Sequence, residues 1–147
     1  MKLVDKMKDE NLGLAILYNF TKGYGHVPMS VYDVVLPFLY HDGFRNHLFE
    51  GIEVEEALTK CVQEDASFIQ NILDTIEKDK EMTSRALGIC LLNKYLSFEF
   101  EDNEMKGIYH ESSILDINEA INLGKFFSGK SYEDILNILK KKSSNVV

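Results

Sequence analysis

The chain has 147 residues, 45% of them apolar and 27% charged, and a formal net charge of −8. This is one domain's worth of chain with material for a real core, and no apolar run approaches the roughly 20 residues of a membrane-spanning helix. The acidic balance argues against a general duplex binder, which needs a basic face to displace counterions.

Met1 to Glu10 alternates charge without an apolar central stretch. It is unlike a signal peptide, and a cytoplasmic location is expected. Asn11 to Lys22 is the first predicted helix, with Leu12, Ile16, Asn19 and Phe20 on one face and Gly23-Tyr24-Gly25 as its stop. Pro28 and Ser30 open the next helix, where Ser30 with Asp33 has a box-like start. Its Val31, Val34, Val35, Leu36, Phe38 and Leu39 predict burial nearly all round, and Pro37 should kink or end it.

His41-Asp42-Gly43 is a turn, followed by a short helix from Phe44 to Glu50 closed by Gly51. Glu53 to Glu64 is amphipathic, with acids in its first turn where the helix dipole favours them. Two more helices are predicted, Ala66 to Asp79 and Thr83 to Asn93. The period then changes to two: Leu96, Phe98 and Phe100 alternate with polar residues, and Met105 to His110 returns after an Asp102-Asn103 turn that tolerates positive φ. Glu111-Ser112-Ser113 is the candidate flexible joint. A helix from Ile117 to Phe127, with Asp116 and Glu119 as a capping box, precedes one from Tyr132 to Lys140 capped by Ser131.

The expected fold is therefore mainly α: a single compact helical domain over 1–147, with one β-hairpin at about 95–110 and C-terminal helices over 117–140. Two helices followed at once by a hairpin, Ala66 to His110, also give a winged-helix-like reading. Glu99, Glu101, Asp102 and Glu104 on that wing argue against phosphate contact.

Chemistry is sparse. Gly124 to Ser131 reads G-K-F-F-S-G-K-S and satisfies the phosphate-loop pattern G-x-x-x-x-G-K-[ST]. A working loop follows a buried strand and turns its backbone N–H groups onto phosphate. Here Ile117, Ala120, Ile121 and Gly124 keep the helical period, and Phe126 and Phe127 fill positions where backbone must wrap an anion, so an aromatic core helix ending at Ser128-Gly129 is expected.

His41-Asp42 with His47 is the one polar constellation, but His26 and His110 add no ligand spacing, so no metal is assigned and His41 and Asp42 are expected to satisfy local backbone groups. Cys61 and Cys90 are expected to be reduced core thiols. Lys140-Lys141-Lys142 is expected to complement a helix dipole. No base stands at a spacing that would activate a nucleophile, and no cofactor is implied. Aromatic residues anchor interfaces, and the candidate interface residues are Tyr18, Tyr24, Phe44, Phe49, Tyr95 and Tyr109, with the hairpin.

Five short segments together resemble one family. Asn11-Leu12-Gly13 through Phe20, Gly23 and Tyr24 is similar to its opening N-P-x…F-x-x-G-Y helix, with Leu12 where proline is common. Val34-Val35-Leu36-Pro37-Phe38-Leu39-Tyr40-His41 is similar to its L-P…H helix end. Thr83 to Leu87, Leu123 to Phe127 and Ser131 to Ile135 resemble its T-x-x-A-L and closing L-G-x-W-F…S-x-x-x-I blocks, with Phe126 where tryptophan is usual. The family is the middle component of bacterial three-component ABC systems, which include Lamassu-type phage-defence operons.

The resemblance implies a small non-enzymatic accessory subunit whose partners are an SMC- or Rad50-like ABC ATPase and an effector, with DNA met only through the complex. The alternatives are a stand-alone winged-helix DNA-binding regulator and a small nucleotide hydrolase using Gly124 to Ser131.

Overall fold

The computed structural model describes residues 10–144, so the charge-alternating N-terminal segment, weighed above as a possible signal peptide, lies outside the described residues except for Glu10. Among these, seven α-helices and one 3-10 helix surround a small antiparallel sheet, a mainly α domain as expected.

Helix α1, Glu10–Tyr24, runs through the centre, with Leu17 and Phe20 fully buried. Gly25, at φ 108°, turns the chain out of it. The next two residues form strand β1, Val27–Pro28, which sequence alone does not reveal. Two residues carry no alternation to detect, and Pro28 is tolerated because it lies on an edge strand. A 3-10 helix, Met29–Val34, leads into α2, Val35–Leu39.

The single helix expected here is thus split. Starting the α-helix at Val35 places Pro37 in its first turn, where a missing N–H breaks no helical bond. Ser30 makes no cap: the N-cap position is Pro28, without a side-chain bond.

Helix α3, Asp42–Phe49, begins two residues before its predicted start because His41 Nδ1 accepts from the Phe44 N–H at 3.1 Å. Helix α4, Val54–Glu64, falls where the sequence puts it. Helix α5, Phe68–Leu92, is one 25-residue helix instead of the two expected. The intervening Lys80-Glu81-Met82 are good helix formers with no Gly or Pro among them. Ile72, Ile76, Asp79, Thr83, Ala86 and Cys90 are buried at spacings of three and four through the supposed break. A single helix therefore feeds the hairpin, in place of the two-helix unit behind the winged-helix reading.

Strands β2, Leu96–Glu101, and β3, Glu104–Tyr109, form the hairpin, with Asp102 and Asn103 at φ 52° and 64° as the turn requires. The hairpin is not alone: β1 pairs with β3, Val27 opposite Gly107, giving the order β1-β3-β2. Residues 111–113 are irregular, but the chain is tied down on both sides of them. Tyr18 Oη donates to the His110 carbonyl at 2.5 Å and Asn19 Nδ2 to that of Leu115 at 3.0 Å.

Helix α6, Asn118–Phe127, has Ile117 as its N-cap residue without a side-chain cap. Asp116, expected in a capping box, instead pairs with Lys22 at 2.8 Å. Helix α7, Tyr132–Ser144, starts with the reciprocal cap its sequence promises: Ser131 Oγ accepts from the Asp134 N–H, and Asp134 Oδ2 from the Ser131 N–H. The core is knit by rings. Phe38 lies 5.1 Å from Phe44, 6.4 Å from Phe68 and 5.8 Å from Phe127 between centroids.

Candidate docking site

The phosphate-loop spelling dissolves on folding. Gly124 is buried inside α6, packed against the backbone of α1. Gly129 sits at φ 80° in the turn after that helix. Lys130 Nζ donates to the Phe126 carbonyl at 2.9 Å and lies 5.4 Å from the Phe126 ring centroid. Ser131 is the cap of α7. The lysine and serine that would hold phosphate and metal are both engaged in closing one helix and opening the next.

The histidines are dispersed among separate partners. His26 meets Glu101 at 3.0 Å, His47 meets Glu64 at 2.6 Å, and His110 meets Ser97 at 2.9 Å. His41 caps α3 with its ring edge-on to Phe68, 4.7 Å between centroids. Burial holds its pKa below the ordinary histidine value, against the opposing pull of Asp65 and Asp42. Asp42 pairs with Arg45 at 2.7 Å. Burial pushes the Cys61 thiol up to about 11 and the Cys90 thiol up to about 12, and both are free and buried, in the core where the sequence puts them. In the basic cluster, Lys142 pairs with Glu55 and also donates to Thr59 Oγ1 at 3.0 Å.

The six candidate interface residues separate into three groups. Tyr18, Tyr24 and Phe44 are buried. The Tyr18 ring meets Tyr95 and Tyr109 edge-on at 6.2 and 6.1 Å, Tyr24 Oη donates to the Lys130 carbonyl at 2.6 Å, and Phe44 belongs to the core ring cluster. Tyr95 and Tyr109 are half-buried, packed against the core. Phe49 is different: at the last position of α3 it is 78% exposed.

Phe49 borders an apolar groove of about 460 Å³. The first turns of α1 supply Leu12 and Ile16, the end of α2 supplies Leu39, and Ile117 stands just before α6. Arg45 and Glu119 are its charged groups, Arg45 fixed by Asp42 and by the Leu39 carbonyl at 3.4 Å. This lining has the chemistry to receive an apolar side chain, and none of the lining residues named pairs a nucleophile with a base. The periodicity of α1 marks Leu12 and Ile16 as inward-facing, and the structure buries Ile16 and half-buries Leu12, but no local pattern tells that the two also line a groove.

A family model described as "ABC-three component (ABC-3C) system Middle Component 3" matches residues 12–142. The chain belongs to this family. As a middle component it works alongside the other components of such a system. Comparison with curated proteins and with solved structures gave no match. The matched span of this middle component starts at Leu12, so both walls of the groove and the whole hairpin lie within it. No helix among the described residues is long and apolar enough to cross a membrane.

Proposed function

We propose that the chain is a non-catalytic adaptor subunit of an ABC-three component complex, of the Lamassu type in bacterial antiphage defence. It docks on an SMC-like ABC ATPase component through the Phe49 groove and helps to hold the effector in check until DNA engages the ATPase. The observation that carries this reading is Phe49, a large ring left in solvent beside an apolar groove. An aromatic anchor next to a pocket is what a binding hot spot needs. The engagement of Lys130, Ser131 and the histidines in helix caps and local pairs also favours a binding role over catalysis. A stand-alone DNA reader fits less well, because on the outer face of α5 Lys80 is paired with Glu77 and Arg85 with Glu81, which leaves no basic stripe there, and the hairpin carries four acids.

Co-expression with the other two components of its own system, followed by size exclusion, tests the proposal. The chain should elute with the ATPase, and Phe49→Asp should release it without changing its melting temperature. A chain that always migrates as a free monomer removes the adaptor reading.

A further inference from the structure

The hairpin reaches beyond the core it helps to cover. Along its inner face the cross-strand pairs are Leu96 with Tyr109, Phe98 with Gly107, and Phe100 with Met105. Leu96 is buried and Phe98 packs on the core, but Phe100 is 69% exposed and Met105 43%. The inner, apolar face therefore continues for one further pair that the domain leaves largely uncovered.

On the outer face of the same tip, Glu101 is the direct cross-strand partner of Glu104. Like charges in that position oppose pairing. His26 reaches Glu101 at 3.0 Å, and Lys106, directly across from Glu99, is committed to Asp102 at 3.1 Å; Glu99 and Glu104 face solvent and form no ion pair among the described residues. An apolar pair and a repulsive acidic pair on opposite sides of one tip match a pocket with an apolar floor and a basic lip.

We propose that the hairpin tip, Phe100 to Met105, is a second docking surface, for a protein component whose apolar pocket is lipped by Lys or Arg side chains. This rests on the adaptor reading but concerns a different face. The groove takes Leu12 and Ile16 from the start of α1, whereas the tip is tied to His26 just past its end. About 8 to 12 residues of helix, from Ile16 or Leu12 to Tyr24, or roughly 12–18 Å at 1.5 Å per residue, separate the two. The chain thereby bridges two different components.

The test uses the assembled complex, with pull-downs at 50 and 300 mM salt scored for each component separately. Phe100→Ser should weaken one component at least tenfold, and Phe49→Asp should lose the other. Glu99→Gln with Glu104→Gln should weaken the hairpin-bound component several-fold and flatten its salt dependence. Unchanged melting temperatures show that the variants fold, since these side chains lie in solvent. If the wild-type chain retains neither component, the adaptor reading falls and this one with it. If Phe100→Ser retains both at wild-type level, or both variants release the same component, the second surface alone falls. Self-association, or DNA binding that Phe100→Ser abolishes, would assign the tip to another occupant and overturn the proposal.

Discussion

Gly23 and Gly124 meet where α1 crosses α6, and neither has room for a methyl group. A Cβ on Gly124 would stand 2.2 Å from the Phe20 carbonyl oxygen and 2.8 Å from the Tyr24 nitrogen; one on Gly23 would stand 2.0 Å from the Ile121 carbonyl oxygen. The obstacles are backbone atoms, so no side chain can rotate away. Glycine in a helix ordinarily costs about 1 kcal/mol relative to alanine, and here close approach of two backbones outweighs that. Gly124→Ala should destabilise by about 3 kcal/mol, lowering the melting temperature by roughly 10 °C. Gly88, also helical but with nothing within 4 Å of its Cβ position, is the contrast. Gly88→Ala should stabilise by about 0.5–1 kcal/mol. Thermal melts of the two variants check both signs; a neutral Gly124→Ala would show that the helices cross less closely.

His41 makes the start of α3 sensitive to acid. Its Nδ1 accepts the Phe44 N–H only while unprotonated, and burial lowers its pKa below the ordinary value near 6.5. The unfolded chain then takes up the proton first, so stability present at neutral pH is lost as pH falls through about 6.5 and below. His41→Asn caps without titrating. Urea midpoints between pH 7.5 and 5 should fall more steeply for the wild type than for His41→Asn. Parallel slopes would place the acid sensitivity elsewhere.

The spelling of Gly124 to Ser131 gives a further expectation. Lys130 lies on the Phe126 ring and binds its carbonyl at the end of α6, so Lys130→Ala should cost no more than about 1 kcal/mol. Titration with ATP or GTP in the presence of magnesium should give the same featureless result for wild type and variant. Tight binding that vanishes in Lys130→Ala would restore the phosphate loop and with it the hydrolase reading.

Much of this fold is legible in the sequence because burial follows local period. The inward Val54, Ala57, Leu58 and Cys61 of α4, the Leu96-Phe98-Phe100 alternation, and the Ser131 cap all sit where residue type and spacing put them. The misreadings have a common cause, a local signal that tertiary structure overrides. Asp79 and Thr83, polar residues that look like helix ends, are buried mid-helix in α5. Asp116 looks like a cap and is drawn off to Lys22 in α1. Strand β1 exists only because β3 offers Gly107 and Lys106 to pair with. The Phe49 groove has no local signature, since its walls come from α1, α2, α3 and the chain before α6, and aromatic type alone does not separate the exposed Phe49 from the buried Phe44 five residues earlier.

Burial of the two thiols and of Tyr32 predicts a loss of stability at alkaline pH. Cys61 and Cys90 are raised to about 11 and about 12, each chiefly by burial. Tyr32 is raised as well, also chiefly by burial, with its hydroxyl 2.7 Å from Thr21 Oγ1. Each group favours its neutral form in the folded state more than in the unfolded chain. Their contribution is therefore complete below the ordinary thiol value of about 9 and is lost as pH rises towards their folded values. Urea midpoints should hold level to about pH 8.5 and then fall. Cys90→Ala removes a group that fills core space and whose Sγ lies 3.8 Å from the Leu14 carbonyl oxygen, so it should start about 1–2 kcal/mol less stable. Above pH 9 its decline should be the shallower of the two. A disulfide-exchange reagent should leave both cysteines unmodified in the native protein at pH 8 and label both in urea. Rapid native labelling of Cys90 would mean that α5 opens locally from α1 far more often than its packing implies.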